Sequence, residues 1–235
     1  DKTMVLRIPS FNSNFKHAID SIITANREPL LRTPNLVIDI RYNGGGSDGS
    51  YAEIIPYLYT NPIRVVNVQF LSTPLNNKRT EDYLSEPGIS PEETAEVKGM
   101  LKRLTDNPGK FVGWDDTRVY VQKLDTVHTF PKNVAILIND GNASTSEQFL
   151  LAAKQSAKTK LFGTTTAGIL DISNMHSVTS PCGVVLRYCL SKSLRIPDMA
   201  IDDKGIQPDY YLDSEIPQQE WVQYAEDVFE NKRTK

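Results

Sequence analysis

Three hydroxyl residues in a row, Ser144, Thr145 and Ser146, sit in the stretch NDGNASTSEQF, directly after the apolar run VAILI at 134–138. Ser144 and Glu147 have the S-x-x-E spacing of a capping box, in which a hydroxyl and a carboxylate satisfy the free N–H groups that open a helix. The same position also suits a nucleophile. A serine on a tight turn between a buried strand and a helix meets backbone N–H groups and a helix dipole, which stabilise an oxyanion. A second stretch, DIRYNGGGS at 39–47, ends another apolar run in Gly44, Gly45 and Gly46. Consecutive glycines cost backbone entropy and are expected where backbone must approach another group closely. The stretch also reads as a plain strand-ending turn. A phosphate loop is disfavoured, because neither a Lys-Ser/Thr pair nor G-x-G-x-x-G spacing is present. Two strand ends that each offer N–H donors make a reasonable oxyanion site.

The elements that must position these residues alternate between strand and helix. MVLRIPSF at 4–11 is strand-like, and Asn14 is placed to cap a helix with Phe15, Ala18, Ile19, Ile22 and Ile23 on one face. NLVIDI at 35–40 is the nearly continuous apolar run of a parallel strand; YAEIIPYLYT at 51–60 begins like a helix, and VVNVQFL at 65–71 alternates as a third strand. Residues 72–116 are polar, with a helix predicted in SPEETAEVKGMLKRL. Ser90 caps it, Pro91 opens its first turn, and Val97, Met100, Leu101 and Leu104 form its apolar face. This segment reads as an inserted lid or helical excursion, and RVYVQKLDTVHTFP at 118–131 as a hairpin. The core pattern resumes at NVAILIND (133–140). A helix at SEQFLLAAKQSA, a strand at KLFGTT, a β-rich stretch to Leu194 and an amphipathic helix at PQQEWVQYAEDVFEN follow. Such alternation predicts an α/β fold with a mainly parallel sheet.

Composition excludes several classes of function. The 235 residues carry a net charge of −3, which gives no reason to expect nucleic acid or an anionic membrane as partner. No apolar run approaches the roughly 20 residues that span a bilayer. No paired Cys or His spacing supports a metal site. In CGVVLRYC, Cys182 and Cys189 are seven apart and face opposite sides of a single strand; they are expected to be buried, unbridged thiols.

With these stretches in view, the chain resembles the C-terminal processing (tail-specific) serine proteases, a family that includes the tricorn core protease. GNASTSEQF resembles the nucleophile segment, LVIDIRYNGGGS the strand and glycine turn, KLFGTTTAG the strand after the nucleophile helix, and DDKGIQPDYYL the closing G-[IV]-x-P-D element. MVLRIPSF resembles the strand that opens the catalytic core. The resemblance implies a crotonase/ClpP-like spiral core of mainly parallel strands with flanking helices, one catalytic domain over residues 1–235, and a helical insertion at 72–116. It implies a serine endopeptidase acting on unfolded or C-terminal polypeptide, outside the cytoplasm, with no metal or organic cofactor. By position, Ser144 is the nucleophile, Ser146 a helix-capping serine, and the N–H groups of Gly46 and Thr145 the oxyanion donors.

One position departs from the pattern. Many members use a serine–lysine dyad, and Ile169 stands at the lysine position here, with Ser173 where the supporting glutamine would be. An isoleucine cannot accept a proton. The tricorn-like branch uses histidine as base and a carboxylate just before G-[IV]-x-P-D, a place filled by Asp202, with Asp203 adjacent. That branch's histidine lies upstream of the core, so helical and PDZ-like regions bearing the base are expected outside this chain. His17 and His128 read as solvated surface residues, and His176 as a minor candidate base. The rival reading is a binding module on the same fold, holding a peptide or small hydrophobic ligand. Acyl-CoA chemistry is disfavoured by the absence of a basic adenine- or phosphate-binding run.

Overall fold

The computed structural model describes residues 2–85 and 89–232. In chain order these form β1 (Thr3–Arg7), α1 (Lys16–Ala25), α2 (Arg27–Leu30), β2 (Asn35–Asp39), α3 (Ile55–Leu58), β3 (Ile63–Val66) and β4 (Val68–Leu71). Next come α4 (Pro74–Tyr83), α5 (Pro91–Thr105), β5 (Phe111–Val112), β6 (Val119–Gln122), β7 (Asn133–Ile138), α6 (Thr145–Ala153) and β8 (Thr159–Gly163). The chain closes with β9 (Ile172–Thr179), β10 (Val185–Ser193), β11 (Tyr210–Tyr211) and α7 (Trp221–Phe229). Two compact units result. The first takes in Asp1–Val65, Val121–Leu170 and Ile201–Lys235, and the second Val66–Tyr120 and Asp171–Ala200.

The first unit is built on a five-stranded sheet in the order β1-β2-β7-β8-β11, every neighbouring pair parallel. Side chains alternate across such a sheet, and its central strands β2 and β7 are covered on both faces, so they are mainly apolar. Leu36, Ile38, Val134, Ile136 and Ile138 pack on one face with Ile19 and Ile23 of α1 and Phe149 and Leu150 of α6. Val37, Ala135, Leu137 and Phe162 pack on the other with Trp221 and Ala225 of α7. The register Ile38↔Ile136 and Asp39↔Leu137 brings the C-terminal ends of β2 and β7 side by side. That adjacency positions the site.

The second unit holds an antiparallel sheet in the order β5-β4-β10-β9, together with α4 and α5. Ser90 and Glu93 close a full capping box at the start of α5, and Met100 and Leu104 pack with Val112 and Phe70. Val97 is buried beside them and Leu101 is half-buried. A fully buried ion pair, Arg195 Nε to Asp171 Oδ1 at 2.6 Å, ties the start of β9 to the chain after β10.

Several local expectations are corrected. VVNVQFL is not one strand. Asn67 breaks it, donating its N–H to Arg118 O and its amide to Thr117 O, so β3 and β4 enter different sheets. The stretch 118–131 is no hairpin: it supplies β6 alone, which pairs with β3. Asn12, not Asn14, caps the turn before α1, accepting from the Asn14 N–H, and α1 buries only the narrow Ile19/Ile23 stripe while Ile22 is exposed. The cysteines are unbridged but not buried. Cys182 is exposed in the turn between β9 and β10, and Cys189 is half-buried on β10.

Candidate active site

Strand β7 ends at Ile138, and six residues later Ser144 opens α6 with φ 55° and ψ −122°. A non-glycine residue rarely adopts positive φ, and the strain persists only where surroundings over-determine it. The surroundings here are hydrogen bonds. The Ser144 N–H donates to Ile169 O at 2.9 Å and to Glu147 Oε2 at 3.2 Å. The Glu147 carboxylate is completely buried, and it also accepts from the Thr166 hydroxyl (2.6 Å), the Gly168 N–H (2.7 Å) and the Ile169 N–H (2.9 Å). Four donors compensate one buried carboxylate, which has no ion pair among the described residues, the condition under which such burial is tolerated. Glu147 is thus more than half of a capping box. It clamps the segment after β8 against the turn that carries Ser144.

The glycine turn after β2 lies against the same turn. A Cβ on Gly45, at φ 102°, would sit 2.7 Å from Ala143 O, 2.9 Å from Thr145 N and 3.0 Å from Ser144 Cβ. Gly46, at φ 149°, packs on Phe11, where a Cβ would meet the Phe11 carbonyl at 2.2 Å. Phe11 and Gly46 form a parallel bridge, in which Phe11 N–H donates to Gly45 O and Ser47 N–H to Phe11 O. The bridge engages the residues flanking Gly46 and leaves the Gly46 N–H directed away from Phe11. Among the described residues no hydrogen bond to the N–H of Gly46 or Thr145 is found.

Three buried asparagines lock the two strand ends together. Asn142 donates to Ile40 O (2.5 Å) and Asn43 O (3.3 Å) while accepting the Asn139 N–H (2.8 Å). Asn43 accepts from the N–H groups of Gly45 and Phe11 and donates to Ile8 O. Asn139 accepts from Tyr42 and Gly141. Below them Arg41 is held by Asp39 (Nη2 to Oδ2, 2.7 Å), donates to Gln218 O, and stacks over Trp221 at 5.3 Å. The sequence reading missed this network. Its signal is the asparagine at each strand end, in YNGGG and NDGN, where a side-chain amide can satisfy backbone groups on both sides.

The sequence-expected residues divide between the two units. Ser144, Thr145, Gly46 and Asp202 all lie in the first, and Ser144 is half-exposed while Thr145 is buried. Ser146 does not cap α6. Its hydroxyl is fully buried and donates to Asn43 O at 2.6 Å, pinning the glycine turn instead. The Ile169 side chain is exposed, yet its backbone meets both Ser144 and Glu147. The next N–H, of Leu170, donates to Asp202 Oδ1 at 2.6 Å, so the Gly168–Leu170 segment bridges the Ser144 turn and the Asp202 loop. Asp203, at φ 65°, donates its N–H to Gly168 O and leaves its side chain exposed. His176 belongs to the second unit, on β9, edge-on to Tyr188. His17 is exposed, and His128 is half-buried against Tyr57 rather than solvated. No group of three or more metal-binding side chains occurs among the described residues, and no described helix is long and apolar enough to cross a membrane.

A strained serine at the end of one strand and a glycine turn at the end of the next thus lie side by side on a parallel α/β sheet. The comparisons narrow the class. The model of peptidase family S41 matches residues 2–212, and the chain belongs to that family. A protein of Staphylococcus haemolyticus described as "Probable CtpA-like serine protease" is 29% identical over 135 residues, covering 48% of this chain and 27% of that protein. A protein of the same description from Staphylococcus epidermidis is 25% identical over 205 residues, covering 87% of this chain and 32% of its own length. The chain therefore spans about a third of these curated relatives. The fold matches mature CPAF complexed with lactacystin at a TM-score of 0.66 and 17% identity, over 96% of this chain and 50% of that one.

Proposed function

We propose that these 235 residues form the catalytic core of a serine endopeptidase that cleaves unfolded or C-terminal polypeptide. One observation carries the reading: Ser144, held at φ 55° at the strand–helix turn, has the backbone of a glycine turn pressed against it. Ser144 Oγ attacks the scissile carbonyl carbon and passes its proton to a base. The resulting oxyanion is bound by the N–H groups of Gly46 and Thr145, and the C–N bond then breaks as the amine leaves with that proton. Water hydrolyses the acyl-serine in the second half of the cycle.

The base in this proposal is a histidine outside these 235 residues, as in the tricorn-like branch, with Asp202 orienting the imidazole and stabilising its charged form. The support is negative at Ile169 and positive at Asp202. The first cannot take a proton; the second is a half-exposed carboxylate tied through Leu170 to the segment that holds Ser144. The compartment we propose is outside the cytoplasm, and the substrate is polypeptide. Ile169 at the lysine position also favours a second reading, an inactive binding module on the same fold.

Casein hydrolysis by the longest native gene product and by this chain decides among these. Ser144→Ala in the long form is expected to abolish turnover. Ser146→Ala is expected to keep measurable turnover while losing about 1 kcal/mol of stability with its hydrogen bond to Asn43. Equal loss in both variants, with folding intact, means that the nucleophile is assigned wrongly. The short chain is expected to be inactive; robust Ser144-dependent turnover by it makes His176 or another internal group the base. A long form that never cleaves yet binds peptide supports the module.

A further inference from the structure

The second unit contains a cavity of about 540 Å³, and none of its lining residues belongs to the unit that carries Ser144. Its walls come from α4, α5 and the antiparallel sheet. The floor is apolar, made by Phe70, Val97, Met100, Leu104 and Leu190, with Trp114 at one side. A cavity of this size holds one or two large side chains and falls within the range of ordinary ligand sites.

Three carboxylates stand among the polar groups around that floor. Asp82, Glu93 and Glu96 stand on the wall against a single lining cation, Arg79. Asp82 is paired with Lys78, and one Glu93 oxygen accepts the Ser90 N–H; Glu96 is exposed and has no ion pair among the described residues. Asn77 adds an independent sign. Its Nδ2 donates to Ser72 Oγ, but its Oδ1 is buried and accepts no hydrogen bond among the described residues. An unsatisfied buried acceptor costs free energy that a donor on a ligand recovers. A third sign is backbone strain. Asn174, within β9, has φ 58°, and its amide is fixed on the buried Ser191 hydroxyl at 2.7 Å. Strain of this kind gathers at binding sites.

The occupant must combine a large apolar group with a cationic, hydrogen-bond-donating neighbour. The sheet indicates that it is polypeptide rather than a small amine. Asn174 and His176, alternate residues of β9, both line the cavity, and β9 is the terminal strand of its sheet. An extended chain can run along the outer edge of β9, which pairs with no further strand among the described residues, and drop a side chain into the cavity, so that backbone bonds give affinity and the cavity gives selectivity. We propose that this cavity is a polypeptide-anchoring site selective for a large apolar residue next to lysine or arginine. It rests on the peptidase reading only in that the bound chain is substrate; the binding itself needs no hydrolysis.

The test uses the 235-residue chain carrying Ser144→Ala, so that catalytic failure and binding failure are read separately. Fluorescein-labelled ten-residue Gly/Ser peptides with a central Phe-Lys, Phe-Glu or Gly-Lys pair are titrated by anisotropy, while Trp114 emission is followed. Trp114 is half-exposed at the cavity, whereas Trp221, the other tryptophan, is buried. The Phe-Lys peptide is expected to bind and shift the emission, with the other two at least about fivefold weaker. Glu96→Lys alters an exposed residue and so keeps the fold; it is expected to weaken Phe-Lys binding about fivefold and remove its salt dependence. Equal binding of Phe-Lys and Phe-Glu, no effect of Glu96→Lys, or no binding of any peptide at about 1 mM overturns the proposal. So does phenethylamine binding as tightly as the Phe-Lys peptide, which marks a small-amine site.

Discussion

Replacing Glu147 with glutamine measures how strongly one carboxylate holds the Ser144 turn in place. Each oxygen of Glu147 serves two donors: Oε1 takes the Thr166 hydroxyl and the Gly168 N–H, and Oε2 takes the N–H groups of Ile169 and Ser144. Glutamine has almost the same volume but only one acceptor oxygen. However it turns, its NH₂ group faces two donors in a site with no solvent exposure. Two hydrogen bonds to a charged group are lost, each worth about 1.5 kcal/mol, for a cost of about 3 kcal/mol. For a chain of this size that lowers Tm by about 6–12 °C, short of unfolding a domain of ordinary stability. Thermal unfolding followed by circular dichroism reads the shift, and amide hydrogen exchange reads its place. The N–H groups of Gly168 and Ile169 are expected to lose protection while the interiors of β2 and β7 keep theirs. A Tm within about 2 °C of the parent, with protection at Gly168 and Ile169 unchanged, refutes the clamp.

Two further outcomes test other local features. Gly45→Ala puts a Cβ within 2.7 Å of Ala143 O at a φ of 102°, whereas a Cβ on Gly44 meets nothing within 4 Å. The first is expected to cost more than about 3 kcal/mol and the second less than about 1, read as urea midpoints; equal effects would disprove the close approach of the two turns. The Ser180 hydroxyl, 3.1 Å from Cys182 Sγ, together with the Val184 N–H, holds the exposed Cys182 thiol below its usual pKa. A lowered pKa means more thiolate at neutral pH, so Cys182 is expected to alkylate with iodoacetamide well before Cys189, and Ser180→Ala to slow it; mass spectrometry of the early product decides.

Much of the first unit was legible because its central strands are buried on both faces and leave apolar runs at 36–38 and 134–138. The cap of α5 was legible for the same kind of reason, since Ser90, Pro91 and Glu93 act on their own backbone neighbours. What failed was whatever depends on a distant partner. Ser146 looks like a helix-capping residue in sequence yet bonds Asn43, and Glu147 closes the expected capping box with Ser144 but also holds residues 166–169, which its spacing does not announce. VVNVQFL alternates like one strand, and only the arrival of Arg118 at Asn67 shows why it divides. The thiols looked buried because their neighbours are apolar, but Val184, Val185 and Leu186 are themselves exposed. Ser144, Gly46, Thr145 and Asp202 were singled out by the family resemblance of the stretches that hold them. The positive φ of Ser144 and the close approach of the glycine turn to it are properties of two strand ends about a hundred residues apart.

The five parallel strands stand in the sheet in the order in which the chain supplies them, β1 first and β11 last. A chain emerging from the ribosome can therefore add each strand to the outer flank of those already laid down, with none forced between earlier neighbours. The drawback of such growth is that the newest strand always presents open backbone to other chains. The final strand has only two residues, Tyr210 and Tyr211, too few to template a sixth. Assembly thus ends with a built-in stop, and a chain cut before residue 210 is expected to leave the longer flank of β8 exposed to aggregation.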